Sequence, residues 1–564
     1  MIYIRFDKPK NQAQTKQSAY ISFKWDQYIL NSVKALRTRY WIPTSKEWEI
    51  PTNLIDKVKE IDEVQFLNDP DQALEAVKIN YDLFKTEPLK HQIEGVEYGL
   101  EVNSWLLGDQ QGLGKTKQII DLAIQRKYAE GMKHCLIICG INNLKYNWAE
   151  EIQKHSDESY CILGKRFVKP KQEPSMKDRL ADISTCPKEF FWITNIETLR
   201  MHKEGRFYKS EIVDFINAHI ANGDLSLIVI DEVHKAKNPT SAQGRGLLKL
   251  KGCPKIGLSG TLLVNKPLDL FMPLSFIDAM TMSFFQFKNR YTITDIWGHP
   301  TGYQNMGELK ELMDQHMLRR TKALLDLPPK IHVEEYIEMS KEEQKLYDEI
   351  VNATKQECDK IANPTMVLSK LIRMRQVCCH TGLVSTKIVK SSKFERLADI
   401  LEEAKANNEK VIVFSMFREL ITLALEEFKE YNPLHIWGQM SQIELEDQKN
   451  HFQNDPGFQV LFGVIQAAGT GITLNEANTV VFLDLPWNRA TMEQAEDRAH
   501  RIGTKKTVTV ISLLMKDSYD EALHKMIISK QAMGEILIDG KNPKEFKKFL
   551  NMIFKEKGED DDES

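Results

Sequence analysis

Long apolar runs are missing from this sequence: no stretch reaches the roughly 18 consecutive apolar residues that a membrane-spanning helix needs. The first ten residues, MIYIRFDKPK, place charge where a secretory signal peptide requires an apolar segment. We therefore expect a soluble, intracellular protein without a membrane partner. The cytoplasm of a bacterium or of a phage-infected cell is the expected location, with the nucleus as the alternative.

Cysteine is scarce as well, with eight in 564 residues. Their irregular spacing fits neither a disulfide framework nor paired CxxC zinc ligands, so we expect reduced and mostly buried thiols. Cys135 and Cys139 lie in an apolar, strand-like run, which favours the core over a metal site.

A large excess of one charge is also lacking, because 76 Lys and Arg stand against 80 Asp and Glu. Any face that binds nucleic acid must therefore be local. The run Glu559 to Glu563 is acidic and ends a predicted polar tail over residues 541–564. Such a tail typically keeps a chain end solvated; a nucleic-acid mimic or a hook for a partner is the alternative.

Two series of short β-rich runs alternate with helical patterns, which predicts an α/β fold with two parallel-sheet domains. The first series contains CLIICG, FFWITN, LSLIVID and KIGLSG, and the second contains KVIVFS, FQVLFGVI, NTVVFLDLP and KTVTVISLL. Ser340 and Glu343 have the spacing of a helix capping box within a charged helical pattern. The predicted domains are a small N-terminal α+β unit, a first lobe, a helical insertion with protrusions and a brace, a second lobe and the tail, over residues 1–80, 81–275, 276–390, 391–540 and 541–564.

Phosphate chemistry is indicated first by the segment DQQGLGKT, residues 109–116, which precedes a helical run. Backbone amides around Gly112 and Gly114 can surround a phosphate, Lys115 adds positive charge, and Thr116 offers a hydroxyl to Mg²⁺. Asp109 stands where GxxxxGK[ST] has its first glycine. By itself, this segment fits a phosphate loop and an ordinary glycine-rich turn equally well.

An acidic pair, Asp231 and Glu232, follows the apolar run LSLIVI and supplies the second motif. Asp231 would hold Mg²⁺ through water, while Glu232 would orient and deprotonate the attacking water. The alternative is that the pair is only a solvated acidic turn. The phosphate lysine upstream makes this alternative the weaker of the two interpretations. Arg498 and Arg501, spaced for one helix face, would stabilise charge on the γ-phosphate; a salt-bridged surface helix is the alternative.

The ordered set of segments resembles helicase superfamily two and, within it, the Swi/Snf family of DNA-dependent ATPases. The resemblance runs from about residue 85 to residue 525, and DQQGLGKT matches the family's DEMGLGKT, which also has Asp in place of the first glycine. It implies two RecA-like lobes with helical insertions, and ATP and Mg²⁺ as cofactors. It also implies nucleotide contacts from Gln92 in LKHQIEG, from Asp109 in the loop, and from Gly471 in AAGTGITL.

The sequence departs from the family pattern at a few positions. Leu262 and Val264 replace the usual proline and glutamine of the third motif, which puts in doubt how that strand couples hydrolysis to movement. Val233 stands in DEVH, and Thr504 replaces a customary glutamine after His-Arg-Ile-Gly. None of these changes removes an atom that the hydrolysis chemistry requires.

The same resemblance implies movement along double-stranded DNA without strand separation. Candidate contacts to the nucleic-acid backbone are Asn143, Lys145, Thr198, Arg200, Ser415, Phe417 and Thr470, for each of which an ordinary loop or cap residue is the alternative. Residues 19–51 look like a degenerate HepA-related domain, the module that accompanies annealing helicases on branched DNA. Cations and stacking rings alternate in this segment, which suits binding of single strands or junctions: Lys34, Arg37, Arg39, Tyr40, Trp41 and Trp48. The alternative is that the aromatic rings form the core of a small α+β domain.

Three functions remain in competition at this point. The first is an ATP-driven translocase on double-stranded DNA that remodels or anneals branched, repair or replication intermediates, with single-stranded DNA-binding or replication proteins as possible partners. The second is a strand-separating DNA or RNA helicase. The third is a non-catalytic DNA-binding scaffold that uses ATP as a clamp.

Overall fold

The structure is a computed structural model that describes residues 1–7, 18–36, 39–42, 45–51, 54–67, 79–142, 144–169, 172–205, 207–260, 267–280, 282–294, 300–325, 327–358, 364–386, 391–438, 440–457, 459–468, 472–504, 506–528 and 553. The chain divides into two compact units, Met1–Leu324 and Leu325–Ser564. The division falls inside the predicted insertion, residues 276–390. Across the described part of the chain, none of the helices has both the length and the apolar character that crossing a bilayer requires.

The N-terminal part of the first unit is a five-stranded sheet with two helices. Its elements are β1 (Ile2–Asp7), β2 (Ser18–Phe23), α1 (Gln27–Ala35), β3 (Tyr40–Ile42), β4 (Glu47–Pro51), α2 (Ile55–Lys59) and β5 (Val64–Phe66). The strand order is β3-β4-β2-β1-β5, antiparallel except for the β1–β5 pair. Asp26 caps α1 by accepting hydrogen bonds from two backbone amides, and Ile29 and Val33 face the core. This is the predicted small α+β region.

The rest of the first unit is built on a seven-stranded sheet. Its elements are α3 (Lys90–Glu101), β6 (Trp105–Leu107), α4 (Lys115–Glu130), β7 (His134–Cys139), α5 (Leu144–His155), β8 (Tyr160–Ile162), α6 (Met176–Ser184), β9 (Phe191–Asn195), β10 (His202–Glu204), β11 (Phe207–Lys209), α7 (Glu211–Ala221), β12 (Leu225–Asp231), α8 (Ala242–Lys249), β13 (Lys255–Leu258), α9 (Phe271–Phe276), α10 (Phe284–Tyr291), β14 (Thr292–Thr294), β15 (Pro300–Tyr303), α11 (Met306–His316) and β16 (Met317–Leu318).

This sheet has the order β16-β6-β13-β12-β7-β9-β8, and all its pairs are parallel. Its central strands are buried on both faces, as expected of a parallel sheet covered by helices. Cys135 and Cys139 are fully buried in β7. The four β-rich runs of the first predicted series all form strands of this sheet.

The second unit contains a six-stranded parallel sheet of order β17-β22-β21-β18-β20-β19. Its elements are β17 (Lys330–Ile337), α12 (Lys341–Cys358), α13 (Pro364–Cys379), α14 (Ser392–Ala406), β18 (Val411–Ser415), α15 (Arg418–Glu427), β19 (Leu434–Ile436), α16 (Gln442–Asn454), β20 (Val460–Val464), α17 (Ile465–Ala468), β21 (Thr479–Phe482), α18 (Arg489–Glu496), β22 (Val508–Met515) and α19 (Tyr519–Ile528). The two parallel sheets confirm the predicted α/β fold with two RecA-like lobes.

The insertion, residues 276–390, is not helical throughout. It contains the β14–β15 hairpin, and β16 and β17 each join one of the parallel sheets. β17 lies at a sheet edge with alternating half-buried and exposed residues, so it needs no continuous apolar run that sequence patterns could detect. The capping box is present at the start of α12: the Ser340 amide donates to Glu343 Oε2 at 2.8 Å, and the Glu343 amide donates to Ser340 Oγ at 3.3 Å.

Candidate active site

The carboxyl ends of three neighbouring strands bring the predicted phosphate and metal residues to one edge of the first parallel sheet. β6, β13 and β12 lie side by side in that order. The loop 108–114 follows β6, Ser259 follows β13, and Asp231 ends β12. Ligands of open parallel sheets bind at this edge, because the connecting loops and the helix N-termini meet there.

The phosphate-loop segment has the geometry that its glycines predicted. Gly112 and Gly114 have left-handed backbones with φ of 84° and 70°, which glycine adopts without the strain that a Cβ would add. Gly114 is the N-cap of α4, so the helix begins at Lys115 and turns its first amides toward the loop. A Cβ on Gly260, after β13, would lie 2.8 Å from Gln111 Cγ, which shows how closely the two loops pack.

Lys115 keeps its ammonium group inside this loop. Its Nζ donates to the carbonyl oxygens of Asp109 at 2.8 Å and Gln110 at 3.4 Å. Its positive charge also favours the ionised forms of Asp231 and Glu232. The phosphate lysine and the acidic pair therefore interact electrostatically within one site, although the loop that leads to Lys115 follows β6 and the acidic pair lies at the end of β12.

Asp231 is held by two donors: Trp148 Nε1 lies 3.0 Å from Oδ2, and the Glu232 amide lies 2.9 Å from Oδ1. Burial of the carboxylate, followed by the negative charge of Glu232, raises the pKa of Asp231 to about 6. A nearby cation would restore the charged form, and hard carboxylate and hydroxyl oxygens are the ligands that Mg²⁺ prefers. Thr116 is the hydroxyl that the sequence predicts for the same ion, and it makes no hydrogen bond to any residue that the structure describes. These donors fit the ion.

Glu232 has an unusual backbone for a residue with a side chain, with φ 53° and ψ 50°. This left-handed conformation costs about 1 to 2 kcal/mol outside glycine, and such strain concentrates at functional sites. Burial opposes ionisation, but His234, with Nδ1 3.1 Å from Glu232 Oε2, and the charges of Lys115 and Lys235 outweigh it. The pKa of Glu232 is therefore lowered, so the side chain is a carboxylate that has an oxygen able to accept a proton.

Asp109 does not present its carboxylate to a ligand. Its two oxygens accept from Arg320 Nε at 3.0 Å, from Arg320 Nη2 at 2.6 Å and from Gln118 Nε2 at 3.0 Å. The Arg320 amide adds a further bond of 3.0 Å to Oδ1. Asp109 thus ties the start of the phosphate loop to the segment after β16. Any nucleotide contact from this position would come from its backbone.

Gln92 is buried near the same loop, but both ends of its amide have partners within the protein. Its Oε1 accepts from the Leu89 amide at 3.0 Å and caps α3, while its Nε2 lies 3.5 Å from the Leu113 carbonyl oxygen. His91 Nε2 donates to the same carbonyl at 2.9 Å. The predicted adenine residue therefore anchors α3 against the phosphate loop in this conformation. Gly471 lies outside the described residues.

The expectation that Arg498 and Arg501 share a helix face is wrong. α18 ends at Glu496, and both arginines lie in the turns that follow. Thr504 closes the turn that contains Arg501, because its hydroxyl lies 2.8 Å from the carbonyl oxygens of Ala499 and Arg501. The departure from the usual glutamine at this position thus has a local structural role.

Both arginines are nevertheless held firmly within the second unit. Arg501 Nη1 donates to Thr473 Oγ1 at 2.6 Å, and the Leu474 amide donates to the Arg498 carbonyl oxygen at 2.9 Å. The preceding Glu496 accepts from Lys330 Nζ at 2.6 Å and lies 3.1 Å from His332 Nε2. β17 therefore supports the base of the arginine turns.

The nucleic-acid candidates differ in exposure. Lys145 and Thr198 are each 1% exposed and Ser415 is 0% exposed, so none of the three can reach a phosphate in this conformation. Lys145 is paired with Glu173, and Thr198 donates to Asn195 Oδ1 at 2.8 Å. Arg200 is exposed, and Phe417 is half-buried. Asn143 and Thr470 lie outside the described residues.

The N-terminal cations and rings divide in the same way. Trp41 is 47% exposed and pairs across the β3–β4 hairpin with Trp48, at a ring-centroid distance of 5.2 Å. Lys34 is exposed, whereas Arg39 is buried and paired with Glu311. Arg37 and the side chain of Tyr40 lie outside the description. Trp41 and Lys34 keep the properties of a nucleic-acid surface, while Arg39 has a structural partner.

A family model described as SNF2-related domain matches residues 85–383, which is more than half of the 564-residue chain. The chain belongs to the SNF2-related family. A second model, helicase conserved C-terminal domain, matches residues 392–503. The family resemblance inferred from the motifs is confirmed.

Known relatives of this SNF2-related protein cover most of its length. An uncharacterized ATP-dependent helicase of Mycoplasma pneumoniae is 28% identical over 90% of this chain and 48% of its own. The mouse DNA annealing helicase and endonuclease ZRANB3 is 26% identical over 82% of this chain and 42% of its own. The chain thus spans less than half the length of each relative.

Among solved structures, the chain is similar to the Sulfolobus solfataricus SWI2/SNF2 ATPase core in complex with dsDNA. The match has 24% identity, covers 84% of this chain and 97% of the other, and has a TM-score of 0.35.

Several residues of this SNF2-related site were not identified from the sequence as site residues. Arg320, Trp148 and His234 contact Asp109, Asp231 and Glu232 respectively. Trp148 lies in LIICGINNLKYNWAEEI, Arg320 in LRRTK and His234 in DEVH, three segments that resemble family motifs, and this resemblance was the available signal. Their partners could not be deduced, because sequence spacing does not tell which side chain meets another across a sheet edge.

Proposed function

We propose that this SNF2-related protein is an ATP-dependent translocase on double-stranded DNA that remodels or anneals repair and replication intermediates. One observation carries the proposal: Lys115, Asp231 and Glu232, from separate segments, form one site at the carboxyl edge of a parallel sheet. The family match supports coupling of ATP hydrolysis to work on nucleic acid. The likeness to a relative named as a DNA annealing helicase supports the annealing role.

ATP would bind with its phosphates in the loop 108–114, where Lys115 and the first amides of α4 supply positive charge. Thr116 and Asp231, the latter through water, would hold Mg²⁺, which neutralises phosphate charge when bound. Glu232 orients the attacking water and accepts its proton, a role for which its lowered pKa keeps it ionised. We assign to Arg498 and Arg501 the stabilisation of charge on the γ-phosphate.

The DNA contacts proposed for the described surface are Arg200 and Phe417, with Lys34 and Trp41 as contacts to branched or single-stranded segments. Arg200 is suited to a phosphate, while a ring can stack on any base without reading sequence. Sequence-independent contacts of this kind are what a motor needs to move along DNA. Single-stranded DNA-binding or replication proteins would meet such an activity at their common substrate inside the cell.

The test is steady-state ATP hydrolysis by the full chain without nucleic acid and with single-stranded DNA, duplex DNA, a forked junction or RNA, all at one salt concentration. We expect strong stimulation by duplex and fork. Stimulation by RNA above DNA would contradict the DNA substrate, and turnover near zero with every nucleic acid would leave an ATP-clamped scaffold. Lys115→Ala, which should lose turnover throughout, separates this enzyme from contaminating ATPases.

A strand-separating helicase is the second candidate, because the Mycoplasma relative is named a helicase and the second family model is a helicase domain. It predicts release of a labelled strand from a partial duplex during hydrolysis. A translocase without strand separation should instead displace a triplex-forming strand and leave the duplex intact. The two assays with the same protein therefore separate the two candidates.

A further inference from the structure

A cysteine from one segment meets a histidine and an aspartate from the end of α7 and the turn between α7 and β12 in the first parallel-sheet lobe, away from the nucleotide residues. Cys186 lies between α6 and β9, His219 is in the last turn of α7, and Asp224 immediately precedes β12. One potential ligand atom from each, the thiol sulfur, an imidazole nitrogen and a carboxylate oxygen, lies within 4.8 Å of the other two. The cluster is at the amino ends of the strands, opposite the edge that carries Lys115 and Asp231.

The protonation of His219 is set by a backbone contact. Its Nε2 lies 2.9 Å from the Ile183 carbonyl oxygen, which can only accept, so the ring carries a proton on Nε2. In the neutral ring, Nδ1 then has a lone pair. His219 is 8% exposed, and its buried Nδ1 makes no hydrogen bond with the residues described. This pattern, one nitrogen fixed by a carbonyl and the other left as an acceptor, is typical of metal-binding histidines.

Asp224 directs an oxygen at the same nitrogen. Its Oδ2 lies 3.6 Å from His219 Nδ1, while Lys133 Nζ holds the other oxygen, Oδ1, at 3.0 Å. The nitrogen and the oxygen therefore face a position that a cation can occupy, either a proton on Nδ1 or a metal ion between the two atoms. The ring of Trp192 packs edge-on against His219, with centroids 5.3 Å apart, and fixes the orientation of the imidazole.

We propose that Cys186, His219 and Asp224 bind a zinc ion, with water as the fourth ligand. Thiolate, imidazole and carboxylate together are a donor set that Zn²⁺ accepts, while the sulfur disfavours Mg²⁺ and Ca²⁺. Tetrahedral zinc with bonds of about 2.0 to 2.3 Å separates its ligand atoms by roughly 3.3 to 3.8 Å. The 3.6 Å between Asp224 Oδ2 and His219 Nδ1 meets this requirement. The Cys186 sulfur lies within 4.8 Å of both other ligand atoms.

The geometry does not suit a cysteine nucleophile. In a Cys-His-Asp triad, the acid holds one ring nitrogen and the thiol uses the other. Here the Ile183 carbonyl occupies Nε2, so His219 cannot relay a proton between Asp224 and Cys186. The proposed ion instead ties the segment after α6 to the end of α7 and stabilises the lobe.

Metal binding to the full chain tests this proposal independently of ATP hydrolysis. The protein is stripped with a chelator under a phosphine reductant and titrated with Co²⁺, a spectroscopic substitute for zinc, and then with Zn²⁺. We expect about one equivalent of Co²⁺, a thiolate-to-cobalt charge-transfer band, displacement of that band by Zn²⁺, and a higher thermal unfolding midpoint with zinc. Absence of stoichiometric binding would overturn the proposal.

Three variants assign the ligands. Cys186→Ser should abolish the charge-transfer band, and Asp224→Asn, which alters a partly exposed side chain, should weaken the affinity roughly 10- to 100-fold. Cys253→Ser removes a half-buried thiol of the same lobe outside the cluster and should leave binding unchanged. A band that persists in Cys186→Ser, or that disappears in Cys253→Ser, would contradict the assignment. DNA-stimulated ATP hydrolysis should be unchanged in Asp224→Asn, which shows that the lobe remains folded.

Discussion

At the scale of single residues, neighbours decide what each carboxylate of the nucleotide site does. Burial and the charge of Glu232 raise the pKa of Asp231, whereas His234, Lys115 and Lys235 lower that of Glu232. Asp109 carries the same functional group, but its oxygens accept hydrogen bonds from Arg320 and Gln118. Three carboxylates within one site thus have three roles, which we assign as metal ligand, base and structural tie.

Replacing Glu232 by glutamine tests the assignment of the base. Glu232→Gln keeps the size of the side chain but cannot accept a proton, so ATP should still bind while turnover falls by about 10² to 10⁴. Binding is measured with a fluorescent ATP analogue and turnover by phosphate release. Glu211→Gln, which alters an exposed residue of α7, is the control and should behave as the unchanged protein. Near-normal turnover in Glu232→Gln would show that another group is the base.

Asp109→Asn separates a structural tie from a nucleotide contact. The change leaves the buried Arg320 guanidinium with only the half-exposed Glu94 as a charge partner, 3.6 Å from Nη1, which should lower the free energy of unfolding by about 3 kcal/mol. If Asp109 were instead a direct ligand, KM for ATP would rise while the unfolding midpoint stayed constant. The double variant Asp109→Asn/Arg320→Gln should recover part of the lost stability, because no buried charge is then left alone.

At the scale of elements, the sequence predicted a strand or a helix start correctly where the element has a characteristic residue pattern of its own. The buried strands β7, β9, β12 and β13 are continuous apolar runs, and Ser340 with Glu343 marks the start of α12. Two local expectations were incomplete. α18 stops before Arg498, which lies in a turn that Thr504 helps to close, and β17 has no apolar run because it lies at a sheet edge.

The C-terminal end of α3 supplies a prediction of pH dependence. Burial, followed by the charge of Glu97, raises the pKa of Glu101 to about 8, and its Oε2 is buried without a hydrogen-bond partner among the described residues. The helix dipole also disfavours a negative charge at this end. Since the carboxyl in the unfolded chain has its ordinary pKa of 4.5, the unfolded state binds fewer protons between these two pKa values. Glu101 therefore makes the protein less stable as pH rises from about 4.5 to about 8.

Glu101→Gln should remove this loss. We expect the variant to be more stable than the unchanged protein by about 4 kcal/mol at pH 8, and the difference to vanish near pH 4.5. Thermal unfolding midpoints across this range measure it. A stability gain that is independent of pH would show that side-chain packing, not ionisation, is responsible.

At the scale of the whole molecule, the N-terminal sheet and the parallel-sheet lobe belong to one compact unit, Met1–Leu324. The described surface of the N-terminal sheet carries Trp41 and Lys34. Ile79 packs against the core of the lobe, and Asn80 exchanges hydrogen bonds of 3.0 and 2.7 Å with Gln125. A truncation that is meant to spare the lobe should therefore end before Ile79.

Removing residues 1–78 should leave duplex-stimulated ATP hydrolysis within about twofold but abolish any preference for forked DNA. In the full chain, Trp41→Ala should weaken fork binding through loss of stacking, by about 1 to 3 kcal/mol. Trp25→Ala removes an even more exposed ring, at 81% exposure, outside the predicted patch and serves as the control. Equal fork stimulation of the truncated and full chains would contradict the proposed role of the N-terminal sheet.

Sequence by itself determined the family, the two parallel sheets, the phosphate loop and the acidic pair. Each of these depends on local patterns: buried apolar runs, glycines that need left-handed backbones, and polar residues at strand ends. Only the tertiary structure decided that Asp109 forms an ion pair with Arg320, that Lys145, Thr198 and Ser415 are buried, and that Cys186 lies beside His219 and Asp224. These outcomes depend on contacts between residues far apart in the chain, and such contacts exist only once the sheet has aligned its strands and the helices have packed against it.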